Sequence, residues 1–318
     1  MGFSASQCTR RAGLNLRANW ELVPLQWLQT CLVVVLTVLG LIPPLMAVGI
    51  GAAELIDSLE GDWAASLEEW VSAPPIALGE ILFPLLVALL STTLIWTVAC
   101  LAYSFFQGGI FGVLMAGERQ SPPRTQAPWQ SFRTFSVANF AGWGRKYVWR
   151  YFWILNIFLL LFTFWALVLI LLAGLTVFGG EQWGWTAGAG IGCGGILPLA
   201  FLLVILVFWS YLAQAFLARE ESGVRDALVS SLKAVGRRFW ALTLLLVILV
   251  AFSMALGLAF FFLSLVTDLA SDGISVGWFG IRFGLTLMQW FFSGALSVGF
   301  GAALVALARG ERLGEASE

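Results

Sequence analysis

Six stretches of the chain are apolar for about twenty residues or more, at 29–52, 81–105, 152–178, 189–217, 240–266 and 281–307. About twenty apolar residues cross the hydrocarbon core of a bilayer as a helix. The pattern therefore predicts an all-α, polytopic membrane domain over 29–307, between a polar segment 1–28 and a tail 308–318. Pro43 and Pro44 predict a kink in the first span. Pro84 and Pro198 fall in the first turns of the second and fourth, where the amides lack an intrahelical partner anyway.

Three connecting stretches have a pattern of their own. Between Pro128 and Arg150, Trp129, Phe132, Phe140, Trp143 and Tyr147 recur at steps of three, four or eight, on one face of a helix. Arg133, Arg145, Lys146 and Arg150 supply its polar side. After Ser222, a plausible N-cap, Val224, Leu228, Leu232, Val235 and Phe239 repeat the theme, with Arg225, Lys233, Arg237 and Arg238 opposite. Basic helices with aromatic anchors lie flat on membranes. The third stretch is acidic: Leu55, Leu59, Trp63, Leu67 and Trp70 predict an interfacial helix ending at Pro74-Pro75. Its carboxylates read as a solvated face rather than a cation site.

Charge sets the orientation. Sixteen of the seventeen basic residues lie in 1–28, 118–150, 218–238 and the tail, and the loops 54–80, 179–188 and 267–280 carry acids and no bases. The positive-inside rule then puts both termini in the cytosol, with the protein in an inner (plasma) membrane. Thr9-Arg10-Arg11 matches a twin-arginine signal and Met1-Gly2 with Ser6 a myristoylation site. The first apolar segment is too long for a cleaved signal, so 1–28 reads as a juxtamembrane segment.

Composition agrees with the pattern: 60% of the 318 residues are hydrophobic and 11% charged, with mean hydropathy +0.90. The sequence contains no histidine. That removes the usual zinc sites, imidazole-held haem, His-dependent triads and histidine proton relays. Cys8, Cys31, Cys100 and Cys193 are scattered without paired spacing and read as small apolar residues.

Candidate chemistry is sparse. Gly190-x-Gly192-x-x-Gly195 fits a dinucleotide expression but lies at the end of a membrane helix, without the strand that motif requires. Close helix packing through Gly188-xxx-Gly192 is the better reading, and Gly108-xxx-Gly112 and Gly280-xxx-Gly284 allow the same. Arg282 opens the sixth span, where it can pair with Asp268 or Asp272, or act as a gate. Among sixteen tryptophans, Trp240 and ten others sit near span ends as an aromatic belt. Trp96, Trp165, Trp209 and Trp290 lie deeper, facing partner helices or a hydrophobic ligand. No acid or lysine falls within the spans, so the expectation is a non-enzyme with no cofactor.

Arg17-Ala-Asn-Trp20, Arg150-Tyr-Phe-Trp153 and Arg237-Arg-Phe-Trp240 each introduce a span, giving three hairpins each led by a basic amphipathic helix on the cytosolic side. The inner loops add Gly108-Gly109-x-Phe111-Gly112, Glu118-Arg119, Phe132-x-x-Phe135, Glu220-Glu221-x-Gly223-x-x-x-Ala227-Leu228-x-x-Ser231 and Gly236-x-x-Phe239-Trp240. This pattern resembles that of bacterial six-helix integral membrane proteins of unknown function, akin to the membrane domain attached to some glycerophosphodiester phosphodiesterases. The resemblance implies a helical membrane fold and supplies no catalytic residues. The phosphodiesterase barrel and its histidines are missing, which argues against that activity here.

Two functions remain in view. One is a scaffold, assembly factor or lipid-handling subunit whose basic helices dock anionic membrane lipid or a membrane or cytosolic protein partner, with no nucleic-acid role. The other is a transporter or channel for a neutral or apolar solute.

Overall fold

Apolar runs of this length satisfy their backbone groups in lipid only by coiling internally. The computed structural model describes residues 4–58, 75–122, 127–220, 223–269 and 276–315, and among these it is all-helical. The helices are α1 (Ala5–Ala18), α2 (Leu22–Ser58), α3 (Pro75–Gln120), α4 (Val137–Trp183), α5 (Trp185–Glu220), α6 (Val224–Leu269) and α7 (Val276–Glu315), with a 3₁₀ turn at Trp129–Phe132. Six are long and apolar enough to cross a membrane. Most of the acidic segment after α2, the Ser222 cap and Asp272 lie outside the described residues, as do the side chains of Leu55 and Asp268.

The helices outrun the spans they were expected to match. At 1.5 Å per residue, the 47 residues of α4 reach about 70 Å, against roughly 30 Å of hydrocarbon. So α3 continues from the predicted limit at 105 to Gln120, and α4 runs unbroken from Val137 into its span. The stretch predicted as one surface helix from Pro128 is therefore a 3₁₀ turn followed by the start of a long helix. In α6 a break falls close to the start of the predicted span: Arg238 has φ −117°, ψ 21°, separating 224–237 from the apolar remainder.

The chain divides into two compact units, one of Met1–Trp27 with Ser104–Glu318 and the other Leu28–Tyr103. In the smaller, Trp96 lies over Gly40, where a Cβ would strike the indole ring. The Thr92 hydroxyl donates to the Gly40 carbonyl at 3.0 Å.

The larger unit is built around the C-terminal half of α7. Of the most apolar window of that helix 61% is buried, against 6–18% in the other five. Its 301–308 stretch is rich in alanine and fully enclosed, so neighbouring backbones approach closely. Ile110 and Leu114 of α3, Tyr151 and Ile154 of α4, Leu212 of α5 and Leu242 of α6 join it in one core. Beyond this base the helices bare Leu, Phe and Val side chains, as lipid-facing surfaces do.

Neighbours pack in chain order, α4 on α5, α5 on α6 and α6 on α7, with α5 also on α7. Gly184, at φ 89°, turns the chain from α4 into α5. Just beyond it a Cβ at Gly188 would strike the Thr176 carbonyl at 2.6 Å, and one at Gly192 would touch Thr176 at 3.1 Å. Two of the deep tryptophans tie helices together: Trp165 Nε1 donates to the Leu199 carbonyl and Trp209 Nε1 to that of Leu228, both at 3.0 Å.

Candidate functional site

The base of the larger unit gathers its polar groups into two layers, one buried and one exposed. The buried layer begins with α1. Ser4 caps it reciprocally with Gln7, through Gln7 N to Ser4 Oγ at 3.3 Å and Ser4 N to Gln7 Oε1 at 2.9 Å. Cys8, Arg11, Ala12, Asn15 and Ala18 then fall on its buried face, which packs on α7 and the 3₁₀ turn.

Arg11 is 2% exposed and Glu118 0%. Arg11 donates to Glu118 Oε2 from Nη2 at 2.8 Å and from Nε at 3.0 Å. It also donates to Ser121 Oγ and, at 3.1 Å, to the Pro122 carbonyl. Arg309 of α7 reaches the same carboxylate at 3.5 Å and donates to Ser121 Oγ at 3.1 Å and Ser121 O at 2.9 Å. Three segments far apart in sequence thus share one carboxylate. The guanidinium of Arg11 is fully engaged, while Glu118 Oε1 is buried without a hydrogen-bond partner, so the cluster is only partly compensated.

A second set of bonds straps 127–136 to α1. Asn19 Nδ2 donates to Phe132 O at 2.8 Å, and Asn19 Oδ1 accepts from the amides of Thr134 and Phe135 at 3.0 and 2.9 Å. Arg133 pairs with Glu21, 2.9 Å from Nη1, and donates to the Ala18 carbonyl at 2.7 Å. The sequence placed Arg133 with the membrane-surface cations; its guanidinium, 45% exposed, fastens the strap to the end of α1. Arg119 donates to the carbonyls of Ala218 and Arg219, and Arg219 to that of Ala308 at 3.2 Å. Ala218 and Arg219 lie in the last turn of α5, where unpaired carbonyls favour a cation.

The aromatic face predicted to lie on the membrane is divided. Phe132, Phe140 and Tyr147 are buried in the protein itself, while Trp143 stacks on Tyr147 with centroids 5.6 Å apart. Gly108 and Gly112 sit at this crossing of α3 and α4: a Cβ would lie 3.3 Å from Tyr147 Cβ at the first and 2.5 Å from Trp143 Cβ at the second. Gly280 and Gly284 differ from these, because a Cβ at either meets nothing within 4 Å. They are not points of close packing among the described residues.

The exposed layer holds the remaining predicted cations. Arg145 and Lys146 on α4, and Arg225, Lys233 and Arg237 on α6, face outward, with Arg150 and Arg238 half-buried. Lys146 Nζ sits 5.0 Å over Trp143 and 5.4 Å over Tyr147, and Arg150 5.8 Å over Tyr147. Trp149, Trp153 and Trp240 are exposed beside them. A cavity of about 170 Å³ opens between Arg119, Gln120, Gly112, Trp143 and Ala218.

Arg282 lines a cleft between α6 and α7; its predicted pairing with Asp268 or Asp272 concerns side chains outside the described residues. Among the described residues, no three His, Cys, Asp or Glu side chains group as a metal site would. The arrangement is a buried set of arginines around one carboxylate, with further cations exposed outside it.

Sequence reasoning missed the Arg11–Glu118–Arg309 cluster. One signal was present: Glu118 is the one acid between Glu80 and Glu181, set in a stretch full of arginine. A scan against protein-family models, a search of curated proteins and a search of solved structures find no match.

Proposed function

We propose that this chain is a non-enzymatic multi-pass protein of a bacterial inner membrane. Both termini are cytosolic, and the three hairpins are led by basic interfacial helices. It works as a scaffold, assembly factor or lipid-handling subunit, with its cytosolic base held against anionic lipid headgroups or an acidic partner. Its kinship is with the six-helix membrane proteins that its loop motifs resemble.

The observation that carries this reading is the division of labour at the base. The apolar faces of 137–154 and 224–239 pack inward, leaving Arg145, Lys146, Arg225, Lys233 and Arg237 on a rigidly held outer surface. Tryptophans beside those cations suit the depth of lipid headgroups. The closely packed aliphatic and aromatic core around α7 favours this reading over a solute pathway through the same unit.

Basic residues near an anionic leaflet contribute about 1 kcal/mol each. Neutralising Arg145, Lys146 and Arg150 to Gln should therefore weaken association with anionic lipid roughly a hundredfold at low salt. A variant that binds as the parent does would remove the proposal.

A further inference from the structure

A hydroxyl that faces lipid usually turns back onto its own helix, because hydrocarbon offers it no partner. The chain follows this rule at the exposed Thr93, Thr97 and Thr163, whose hydroxyls donate to the carbonyls of Leu89, Thr93 and Leu159 at 2.7–2.8 Å. Thr286 of α7 does the same, onto the Arg282 carbonyl at 3.0 Å. The next polar side chains of α7 break the rule. Gln289, Ser293 and Ser297 are exposed, and among the described residues none of the three has a hydrogen-bond partner. An unpaired amide or hydroxyl in hydrocarbon is costly.

Thr286, Gln289, Ser293 and Ser297 follow steps of three, four and four, so they share one face of α7. Toward the base, Phe300 continues that face and meets the exposed Tyr211 of α5 edge-on, with ring centroids 5.4 Å apart. A phenol therefore stands beyond Ser297. From Thr286 to Phe300 is fourteen residues, or about 21 Å of the roughly 30 Å hydrocarbon core. Gly257 of α6 lines the same cleft as Thr286 and Gln289, and a Cβ there would meet nothing within 4 Å, which leaves room beside the file. The flanking Met288 and Phe292 are exposed as lipid-facing side chains are.

Uncharged donors and acceptors one turn apart, open sideways to lipid, suit a headgroup that crosses while its acyl chains stay in hydrocarbon. Amide and hydroxyl groups both donate and accept, so they can serve the phosphate and ester oxygens common to all phospholipids. We propose that this face of α7 is a track along which phospholipid headgroups pass between the leaflets, with Gln289, Ser293 and Ser297 replacing water in turn. Lipid moves down its own gradient, with no bond made or broken. The activity goes beyond lipid docking at the base, because it uses none of the cations there.

The test reconstitutes the full chain into phosphatidylcholine vesicles carrying a trace of phosphatidylcholine or phosphatidylglycerol with a fluorophore on one acyl chain. Dithionite, which does not cross the bilayer, then bleaches the outer leaflet. Parent vesicles should lose label from both leaflets, at similar rates for the two headgroups. Gln289→Leu with Ser293→Ala and Ser297→Ala should slow the inner-leaflet loss by roughly tenfold or more, as removing one hydrogen bond at the barrier would. Thr93→Val with Thr97→Val and Thr163→Val, which removes hydroxyls already bonded to their own helices, should leave the rate unchanged. The Arg145/Lys146/Arg150→Gln variant should also leave it unchanged, which keeps the outcome separate from that of the base. If the triple α7 variant lowers the melting temperature, Gln289→Leu alone supplies the comparison. Bleaching confined to the outer leaflet in the parent overturns the track, as does equal slowing by the threonine variant. Release of a trapped dye would mean an aqueous pore instead. A parent dimer that the triple α7 variant separates in native mass spectrometry would mean that a second copy of the chain covers this face, and would overturn the track too.

Discussion

Glu118 shows how one side chain can organise a fold. Its carboxylate takes two bonds from Arg11 and a longer contact from Arg309, within a region where water does not reach. Removing one partner of a buried pair strands the other, at a cost of about 3–5 kcal/mol. Glu118→Gln should destabilise the detergent-solubilised protein by that amount in chemical unfolding. Arg309→Gln should cost less, since Arg309 is 15% exposed where Arg11 is 2%. The double change Arg11→Leu with Glu118→Leu should recover part of the loss, because the two most deeply buried charges leave together while Arg309, 15% exposed, keeps its bonds to Ser121.

Cys8 packs into the same region. Burial, reinforced by the negative charge of Glu118 and opposed by Arg11 and Arg238, pushes its thiol from 9.0 up to about 12. An unfolded cysteine loses its proton from about pH 8.5, while the folded one keeps it until about 12. The contribution of Cys8 is therefore complete below the unfolded value and is lost as pH rises toward the folded one. Between those limits, parent stability should fall with pH more steeply than that of Cys8→Ala. Parallel curves would mean the thiol titrates in the fold as it does in water.

At the scale of elements, close approach separates the glycines that matter from those that do not. A side chain at Gly188 meets backbone of α4, which cannot step aside, so Gly188→Ala should cost about 1–3 kcal/mol. Gly280→Ala, with open space around it, should stay within about 0.5 kcal/mol. Unfolding measurements on both variants compare a packed pair with an open one.

The sequence displays these two xGly-xxx-Gly spacings identically, and only the facing helix tells them apart. The membrane helices themselves were legible because a run of twenty apolar residues has few alternatives. Their true ends were not. Helix α3 leaves its apolar run near 105 and continues to Gln120 because Gly108, Gly109 and Gly112 let α4 pack against it. The change from a charged to an apolar stretch near 240 was legible, but the kink at Arg238 that accompanies it was not predicted. The role of Arg11 was hidden for another reason: its partner is 107 residues away, and no local pattern records a pairing over that distance.

At the scale of the whole molecule, the larger unit pairs a tightly packed base with membrane helices that expose most of their apolar surface. The base spends its internal arginines on a carboxylate and on backbone carbonyls and keeps other cations outside. Under the proposed function, that outer surface recognises anionic lipid or an acidic partner. Exposed charges are screened beyond about 10 Å at 0.1 M salt, so that recognition should be strongly salt-dependent.

The most direct measurement is enrichment of anionic over zwitterionic lipid around the reconstituted protein, read by energy transfer from its tryptophans to headgroup-labelled lipid. In the proposed function, the parent enriches anionic lipid at low salt and loses most of that enrichment at high salt. The variant with Arg145, Lys146 and Arg150 changed to Gln shows little at either. Equal enrichment in parent and variant, or enrichment that salt does not touch, would contradict it.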